Sequence, residues 1–449
     1  MWVFEIPSNS QEKRILDNIQ DESVIDLAKQ LISFPSFAGE EAPVADYLSH
    51  YLKERGFQVT KQEIEQGRYQ PLATLTGNDD GASILLNGHM DIDPLARGAT
   101  DPFVPQVKNG LIHGAGLFNM KAGVTAMVIA AVALAEADLD LKGTVYCNPV
   151  VGELQGGIGT LHSIKEGPRP DAVLIPEPTD MNLLLKHGGV LDFAIITLGK
   201  SSHISQREGS VDAIRKMSDI QQRLYEMDDD KDWVHDFDPD VPKLPLMNIG
   251  SIIGGRGRNH DLKGPYCVAD VCTLYIDTRI NATQSYDSVK KDIITTMEQL
   301  KKKDPEIEYE LRFPPQTPEE DPVDDEIGKI IGLYMPPFSI PQDEYLVQSV
   351  CDNHEQVTNT QPTKIVSEED GKYPVVYAGT DAVHYWSLGV PAFCYGPGGM
   401  ISSDNEVADH PPVAVKDIVA CAKVLALTAL DICSKSKEEY RKLRPQSVG

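Results

Sequence analysis

The sequence SILLNGHMDIDP, residues 83–94, contains the pattern that decides the fold class. Ser83 to Gly88 is a short apolar run with no helical spacing, which is typical of a strand buried in a sheet. His89 and Asp91 follow it and are two residues apart, so their side chains point to the same face. In open α/β sheets, ligands bind beyond the carboxyl ends of strands. The stretch therefore predicts a buried strand that ends at a functional site.

Two similar apolar runs follow, GTVYCNPVV (Gly143 to Val151) and AVLIP (Ala172 to Pro176), and helices are predicted after Met120 and Gly157. Strands that alternate with helices indicate an open, largely parallel α/β sheet.

Three more polar residues stand after apolar segments: Asn119 after HGAGLF, Glu153 after NPVVG and Glu177 after LIP. Each alone is better explained as a hydrogen-bonded group at a strand end. Together with His89 they form a set of a histidine, carboxylates and an amide, which is what a metal site with a general base requires.

The pattern changes near His187. The following segment has βαββαβ-like content, which suggests an inserted α+β domain. We predict a catalytic domain of residues 1–189 and 311–449 and an inserted domain of residues 190–310. A C-terminal helix is predicted from Val415, and residues 434–449 are predicted to be a polar, frayed tail.

The composition excludes several classes of protein. Of 449 residues, 41% are hydrophobic and 24% are charged, as in ordinary globular proteins. Asp and Glu number 68 against 41 Lys and Arg, and a net charge of −27 argues against nucleic-acid and membrane partners.

The seven cysteines include no C-x-x-C pair, which favours reduced thiols in a cytoplasmic protein. The N-terminus lacks the pattern of a secretory signal, and the apolar segment from Gly123 to Ala135 is too short to span a bilayer, so we interpret it as a buried helix.

Several motifs occur in the order found in one family of co-catalytic metallohydrolases. The chain resembles the aminoacylase, carboxypeptidase G and acetylornithine deacetylase family, which includes the succinyl-diaminopimelate desuccinylases. The matching segments are NGHMD (87–91), GAGLFNMKAG (114–123), GELQGGIGT (152–160), IPEPTD (175–180), GKSSH (199–203), GSIIGGRGRN (250–259), YIDTRI (275–280), GTDA (379–382) and GVPAFCYGPG (389–398). The resemblance implies an α/β, phosphorylase/hydrolase-like catalytic domain with a mixed sheet. It also implies an inserted α+β, ferredoxin-like dimerisation domain, and hence a homodimer.

The resemblance also implies roles for individual residues. His89 and Glu177 would bind metal, Asp91 would support His89, and Glu153 would be the general base. His203, from the inserted domain, would stabilise an oxyanion.

Substrate contacts are implied in the same way. Arg279, with Asn259, would hold a substrate carboxylate, although an intrachain pair between Arg279 and Asp277 is an equal alternative. Gly396 and Gly398 would cradle the substrate, or form a purely structural turn.

The sequence departs from the family pattern at three metal positions. Asn119 stands where a bridging aspartate is expected, and Leu154 where a second glutamate is expected. Ser402 replaces a histidine, and His410 is a substitute only if its loop is rearranged. Leucine cannot bind a metal, and an amide oxygen is a neutral donor that bridges two cations poorly. We therefore expect one divalent ion per subunit, zinc or manganese, held by His89, Glu177 and the Asn119 oxygen.

These features predict a metal-dependent hydrolase that cleaves a C–N bond, other than an internal peptide bond, in a small substrate with a carboxylate. One alternative is an aminohydrolase that removes an amino group from an aminoaromatic acid, such as a nitroanthranilate. The other is a catalytically silent binding or structural homologue, which Asn119 and Leu154 would explain. The intact Glu153 and His203 argue against the silent homologue.

Overall fold

The computed structural model describes residues 10–78, 81–95, 99–230, 233, 236–258, 265–316, 331–371, 375–399 and 411–445. The chain divides into two compact units. The first, unit 1, contains residues 1–186, 338–376 and 380–449, and the second, unit 2, contains residues 187–337 and 377–379.

The α-helices of the described residues are α1 Gln11–Asp17, α2 Asp21–Ile32, α3 Ala42–Lys53, α4 Ala122–Glu136, α5 Ile158–Glu166, α6 Ala213–Asp229, α7 Tyr286–Lys303, α8 Tyr345–Thr358, α9 Ala382–Trp386, α10 Val415–Cys433 and α11 Lys437–Leu443. The strands are β1 Gln58–Glu65, β2 Arg68–Leu75, β3 Ile84–His89, β4 Gln106–Lys108, β5 Leu111–His113, β6 Val145–Val150, β7 Ala172–Ile175, β8 Leu183–Leu184, β9 Lys186–His187, β10 Gly189–Val190, β11 Phe193–Leu198, β12 Leu246–Gly255, β13 Val271–Ile280, β14 Glu308–Arg312, β15 Phe338–Ser339, β16 Lys364–Ile365, β17 Ala392–Cys394 and β18 Val413–Ala414.

Unit 1 is built on an eight-stranded mixed sheet in the order β1-β2-β6-β3-β7-β17-β8-β16. Its centre is parallel, because β3 pairs with β6 on one side and with β7 on the other. Every residue of β3 is buried, as the unbroken apolar run predicts. The sheet is the predicted phosphorylase/hydrolase-like mixed sheet.

The apolar segment after the second motif forms α4, in which residues 122–134 are all buried. The helical stretch Leu117–Glu136 is long and apolar enough to cross a membrane, but 89% of its most apolar window is buried inside the protein. It packs against α2 and α10. The prediction of a buried helix here is therefore confirmed.

Unit 2 contains the predicted ferredoxin-like domain. Strands and helices follow the order β11, α6, β12, β13, α7, β14, and the antiparallel sheet has β14, β11, β13 and β12 as neighbours. Strand β10 pairs with β13 beside β11. Side chains such as Phe193, Ile195, Met217, Leu274 and Ile293 form its core between the sheet and the two helices.

Two predicted boundaries differ from the structure. Unit 2 begins at His187 rather than at residue 190, and it continues to Pro337 rather than to residue 310. The later return has a physical cause, because β14 pairs with β11 and Met335 forms a bridge with Val190.

The predicted frayed tail is wrong for residues 437–443, which form α11. Ser436 and Glu439 form a reciprocal capping box at the start of this helix. Tyr440 is fully buried and fixes the helix against the rest of unit 1.

Candidate metal-assisted active site

His89 is the last residue of β3 and only 1% of its surface is exposed. Its Nδ1 lies 2.8 Å from the main-chain oxygen of Asp91, so Nδ1–H donates to that carbonyl. When the ring is neutral, this tautomer leaves a lone pair on Nε2. The Nε2 atom lies 3.2 Å from Asn119 Oδ1, 3.7 Å from Glu177 Oε1 and 3.9 Å from Glu153 Oε2. The structure thus brings together four of the predicted site residues.

Glu177 reaches this point because of the register of the sheet. Leu86 of β3 pairs with Leu174 of β7, and β7 ends one residue later at Ile175. The Glu177 N–H bonds back to the Ile175 carbonyl oxygen at 2.9 Å, so the chain turns at the strand end, where Glu177 lies near His89. The main chain of Pro176 and Glu177 lies directly against Gly123 of α4 and Gly396. A Cβ atom at either glycine would overlap the carbonyl oxygen of Pro176. Only glycine permits so close an approach of two backbones.

Gly396 and Gly398 therefore have structural roles in unit 1. The Gly396 N–H donates a 3.0 Å hydrogen bond to Thr179 Oγ1, and Gly398 has a φ of +97°, which favours glycine. Their predicted contact with substrate stays a prediction.

Glu153 begins a one-turn helix, Glu153–Gln155, between left-handed glycines at 152 and 156. The carboxylate of Asp91 holds this turn, because it accepts hydrogen bonds from the main-chain N–H groups of Glu153, at 3.2 Å, and Leu154, at 3.0 Å. We expected Asp91 to support His89. It does so through its carbonyl oxygen, while its carboxylate, 3.6 Å from His89 Nδ1, mainly fixes the turn.

The electrostatics of the site show an excess of buried negative charge. Burial raises the pKa of Glu153 well above its usual value and also raises the pKa of Glu177, although His89 acts in the opposite direction on both. Burial alone would lower the pKa of His89, but the carboxylates of Glu177, Asp91 and Glu153 raise it to about 10. The set is stable only with a proton or another cation among these oxygens.

The residues present fit one divalent cation. His89 Nε2, a Glu177 oxygen and the Asn119 amide oxygen are all donors that zinc and manganese accept. Among the described residues, no three His, Cys, Asp or Glu side chains form a metal cluster by themselves. The amide of Asn119 is therefore needed to complete a three-donor set. Leu154, next to Glu153 in the chain, has no donor atom in its side chain.

Asp381 is a further acid near His89 and Glu177. It belongs to the GTDA motif of residues 379–382, but no feature of the sequence alone marks it as a site residue. It is 1% exposed, and its Oδ2 accepts a 2.7 Å hydrogen bond from Thr160 Oγ1. Its Oδ1 is buried and has no hydrogen-bond partner among the described residues. Burial, opposed by the Thr160 hydrogen bond and by His89, raises the pKa of Asp381 to about 7.

The remaining predicted residues lie in unit 2 or outside the described residues. His203 is exposed, and its Nδ1 contacts Ser205 Oγ at 2.8 Å. Arg279 forms a two-pronged ion pair with Asp277, at 2.7 and 2.6 Å, so the intrachain alternative is present in the structure. Its contact with substrate stays a prediction. Asn259, Ser402 and His410 lie outside the described residues.

The arrangement of a histidine and buried glutamates at the ends of β3, β6 and β7, with the Asn119 amide from the segment Leu117–Lys121 before α4, agrees with a comparison of sequences. Residues 85–431 match Peptidase family M20/M25/M40. The chain belongs to this family. The family contains metal-dependent hydrolases, and membership in it confirms the resemblance inferred from the motifs.

Relatives extend over most of the chain. The N-formyl-4-amino-5-aminomethyl-2-methylpyrimidine deformylase of Bacillus subtilis is 26% identical over 440 residues, which is 93% of this chain and 96% of the relative. The acetylornithine deacetylase of Proteus mirabilis is 30% identical over 277 residues, which is 58% of this chain and 68% of the relative.

Solved structures share the fold at low identity. A di-peptidase from Saccharomyces cerevisiae has a TM-score of 0.71 at 12% identity, and human carnosine dipeptidase 1 has 0.68 at 14%; each match covers 94% of this chain and 99% of the other. A dinuclear metal-binding peptidase of the same family from Bacillus subtilis has a TM-score of 0.58 at 13% identity, and the match covers 92% of this chain and 99% of the other. These confirm the predicted fold class.

The contact of Gly396 with the Glu177 segment can be tested by Gly396→Ala. The added methyl group would overlap the carbonyl oxygens of Pro176 and Glu177, so we expect the free energy of unfolding to fall by about 1–3 kcal/mol. Gly250→Ala is the matched control, because its Cβ would have no atom closer than 3.9 Å. Urea denaturation measures both variants. Equal stability of the two would contradict the close packing at Gly396.

Proposed function

We propose that this protein hydrolyses the amide C–N bond of a small N-acyl compound that bears a carboxylate. The observation that carries the proposal is the convergence of Asn119, Glu153 and Glu177 within 4 Å of His89 Nε2. A site that gathers a nitrogen lone pair and buried carboxylates is suited to hold a divalent cation beside a general base.

Glu153 is the general base in this proposal. It is 9% exposed, and its raised pKa lets it accept a proton from water and later return it to the leaving nitrogen. A divalent ion at His89, Glu177 and Asn119 would supply Lewis-acid polarisation of the substrate carbonyl and of water. Asp91 keeps the Glu153 backbone in place throughout, because its carboxylate holds two N–H groups of the turn.

The relatives favour amide cleavage over deamination. A deformylase and a deacetylase both remove an acyl group from nitrogen, and they match 93% and 58% of this chain. We therefore keep the aminohydrolase reaction as an outcome of the test. A silent homologue would not need the buried base or the two hydrogen bonds that fix its turn.

We further propose one metal ion per subunit. The family includes a dinuclear peptidase, but here Leu154 offers no donor atom and Asn119 offers a neutral oxygen. A second divalent ion would therefore meet too little negative charge in this buried site. Zinc and manganese both suit the donor set.

Unit 2 is proposed to add the substrate clamp and the dimer contact. Arg279, held by Asp277 on β13, is suited to a substrate carboxylate, and the exposed His203 is suited to an oxyanion.

The dimer is supported by the edge strand β12. In the described structure this strand pairs only with β13, contains no charged residue, and exposes Ile252 and Ile253 at 46% and 45%. A long, uncharged edge strand invites pairing with another chain. A cavity of about 820 Å³ adjoins it, lined by both arginines and aspartates, including Arg215, Asp219 and Arg256. Such mixed charge suits a second copy related by two-fold symmetry.

The cellular location stays a proposal as well. All seven cysteines are free thiols, which supports a reducing compartment such as the cytoplasm.

The reaction can be tested with protein loaded with Zn²⁺ or Mn²⁺ and a panel of N-formyl and N-acetyl amino acids, an N-formylaminomethylpyrimidine, dipeptides and aminoaromatic acids. We expect release of the carboxylic acid and the free amine, and Glu153→Gln should lower kcat by about 10²–10⁴-fold while metal stays bound. The exposed Glu438→Gln is the control. Ammonia release from the aminoaromatic acids without acyl cleavage, or full activity of Glu153→Gln, would contradict the proposal.

The metal count can be tested by Asn119→Asp combined with Leu154→Glu. These changes add two carboxylates, so metal per chain should rise from one toward two, as measured by plasma mass spectrometry after dialysis. Leu154→Met, which adds no oxygen, is the control and should stay at one. Two ions in the unaltered protein would refute the single-ion site, and no increase in the double variant would show that other ligands limit the second ion.

The dimer can be tested by Ile252→Lys with Ile253→Lys. Charges on an edge strand prevent pairing with another strand, so the unaltered protein should have twice the chain mass of 49.3 kDa and the variant a single chain mass by light scattering. Val104→Lys with Val107→Lys is the control, because these side chains in unit 1 are 57% and 43% exposed. A monomeric unaltered protein, or a dimeric Ile252/Ile253 variant, would exclude this interface.

A further inference from the structure

His384 contacts the turn that presents Glu153. It lies in α9, a helix of five residues, and is only 5% exposed. Its Nε2 lies 3.0 Å from the carbonyl oxygen of Gly156. Burial lowers the pKa of His384 to about 4, so the ring is neutral near pH 7. Because the carbonyl can only accept, Nε2 must carry the hydrogen and donate it.

The next residue of the turn packs against the same helix. Gly157 has a φ of +81°, and a Cβ atom there would overlap Asp381 Oδ1 and lie 2.7 Å from His384 Nε2. The backbone at Gly156 and Gly157 is therefore in direct contact with the side chains of Asp381, which directly precedes α9, and of His384, which lies within it.

A third contact joins α9 to the strand of His89. Asp381 Oδ2 accepts from Thr160 Oγ1 at 2.7 Å, and Thr160 Oγ1 accepts from Asn87 Nδ2 at 3.1 Å. Asn87 is two residues before His89 on β3. All three side chains are buried. The turn of Glu153 is thus held from α9 on one side and by Asp91 on the other.

We propose that His384 is a positioning residue for Glu153. By donating to Gly156, it fixes the carboxyl-terminal end of the turn whose first residue is the base, while Asp91 fixes the amino-terminal end. Releasing one end lets the Glu153 carboxylate move away from its position 3.9 Å from His89 Nε2. A displacement of about 1 Å at a catalytic group can cost 10²-fold in rate. This inference rests on the proposed role of Glu153.

The test compares His384→Gln with His384→Leu in the full-length, metal-loaded protein. The glutamine Nε2 can occupy the place of the ring Nε2 and keep the hydrogen bond, whereas leucine fills the space and cannot donate. We expect His384→Gln to keep kcat within about threefold. His384→Leu should lower kcat by about 10–10²-fold per folded, metal-loaded chain, with KM and metal content unchanged.

Hydrogen exchange gives a readout that needs no substrate. The N–H groups of Gly156 and Gly157 bond to carbonyl oxygens at residues 152 and 153. In His384→Leu, the peptide that covers residues 152–160 should exchange about tenfold faster, while the peptide of β6 should not change.

His354 is the matched control, because it is also 5% exposed and bonds to Tyr395 and Thr360, away from the turn. His354→Leu should lower thermal stability and leave both kcat and the exchange of residues 152–160 unchanged. If His384→Leu does not fold, His384→Asn takes its place, since its amide is too short to reach Gly156.

Two results would overturn the positioning role. One is unchanged exchange at residues 152–160 in the variants that lack the donor, and the other is an equal loss of kcat in His384→Gln and His384→Leu. A failure of the proposed function would give a different result. In that case Glu153→Gln would keep full activity, while His384→Leu would still show faster hydrogen exchange at residues 152–160.

Discussion

The geometry of the site depends on one buried residue, Asp91. Its main-chain oxygen fixes the tautomer of His89, and its carboxylate holds the N–H groups of Glu153 and Leu154. The end of β3 and the turn after β6 are therefore tied at one point. Because hydrogen bonds to an ionised acceptor are stronger than neutral ones, a buried carboxylate is well suited to this role. The orientation of the His89 ring and the position of Glu153 are thus set together.

The same constraint explains why the site needs a cation. The turn and the register of β7 bring Glu153 and Glu177 close to Asp91 in a space where each is less than 10% exposed. Carboxylates so placed repel one another, and burial weakens their screening by water. Without a metal ion the imbalance is relieved by holding a proton on His89, whose pKa rises to about 10. Asn119 and Leu154 limit the negative charge, so a single divalent ion suffices in the proposed site.

The sequence predicts the parts of the molecule that local pattern determines. The buried strand β3, the helix α4 and the βαββαβ order of unit 2 follow from apolar runs and their spacing, and His89, Glu153 and Glu177 were found because they end such runs. His384 and Asp381 act through contacts more than 220 residues apart in the chain, which no local pattern encodes. The helix α11 had a local signal, the Ser436 and Glu439 capping box, but its stability depends on the burial of Tyr440, which is a tertiary effect. The return to unit 1 after Pro337 has no local signal, because the pairing of β14 with β11 and the bridge between Met335 and Val190 are also long-range.

Main-chain packing shapes the site. Gly123 and Gly396 enclose the backbone before Glu177, Gly157 lies against α9, and Asp91 binds two backbone N–H groups. In small metal-stabilised domains, binding of the ion supplies the folding free energy, so loss of a ligand unfolds the chain. Among the described residues, these contacts that shape the proposed site involve glycines and Asp91 rather than the side chains of Glu177 or Asn119. In the proposed single-ion site, asparagine and leucine at residues 119 and 154 would change what the site binds without removing these contacts.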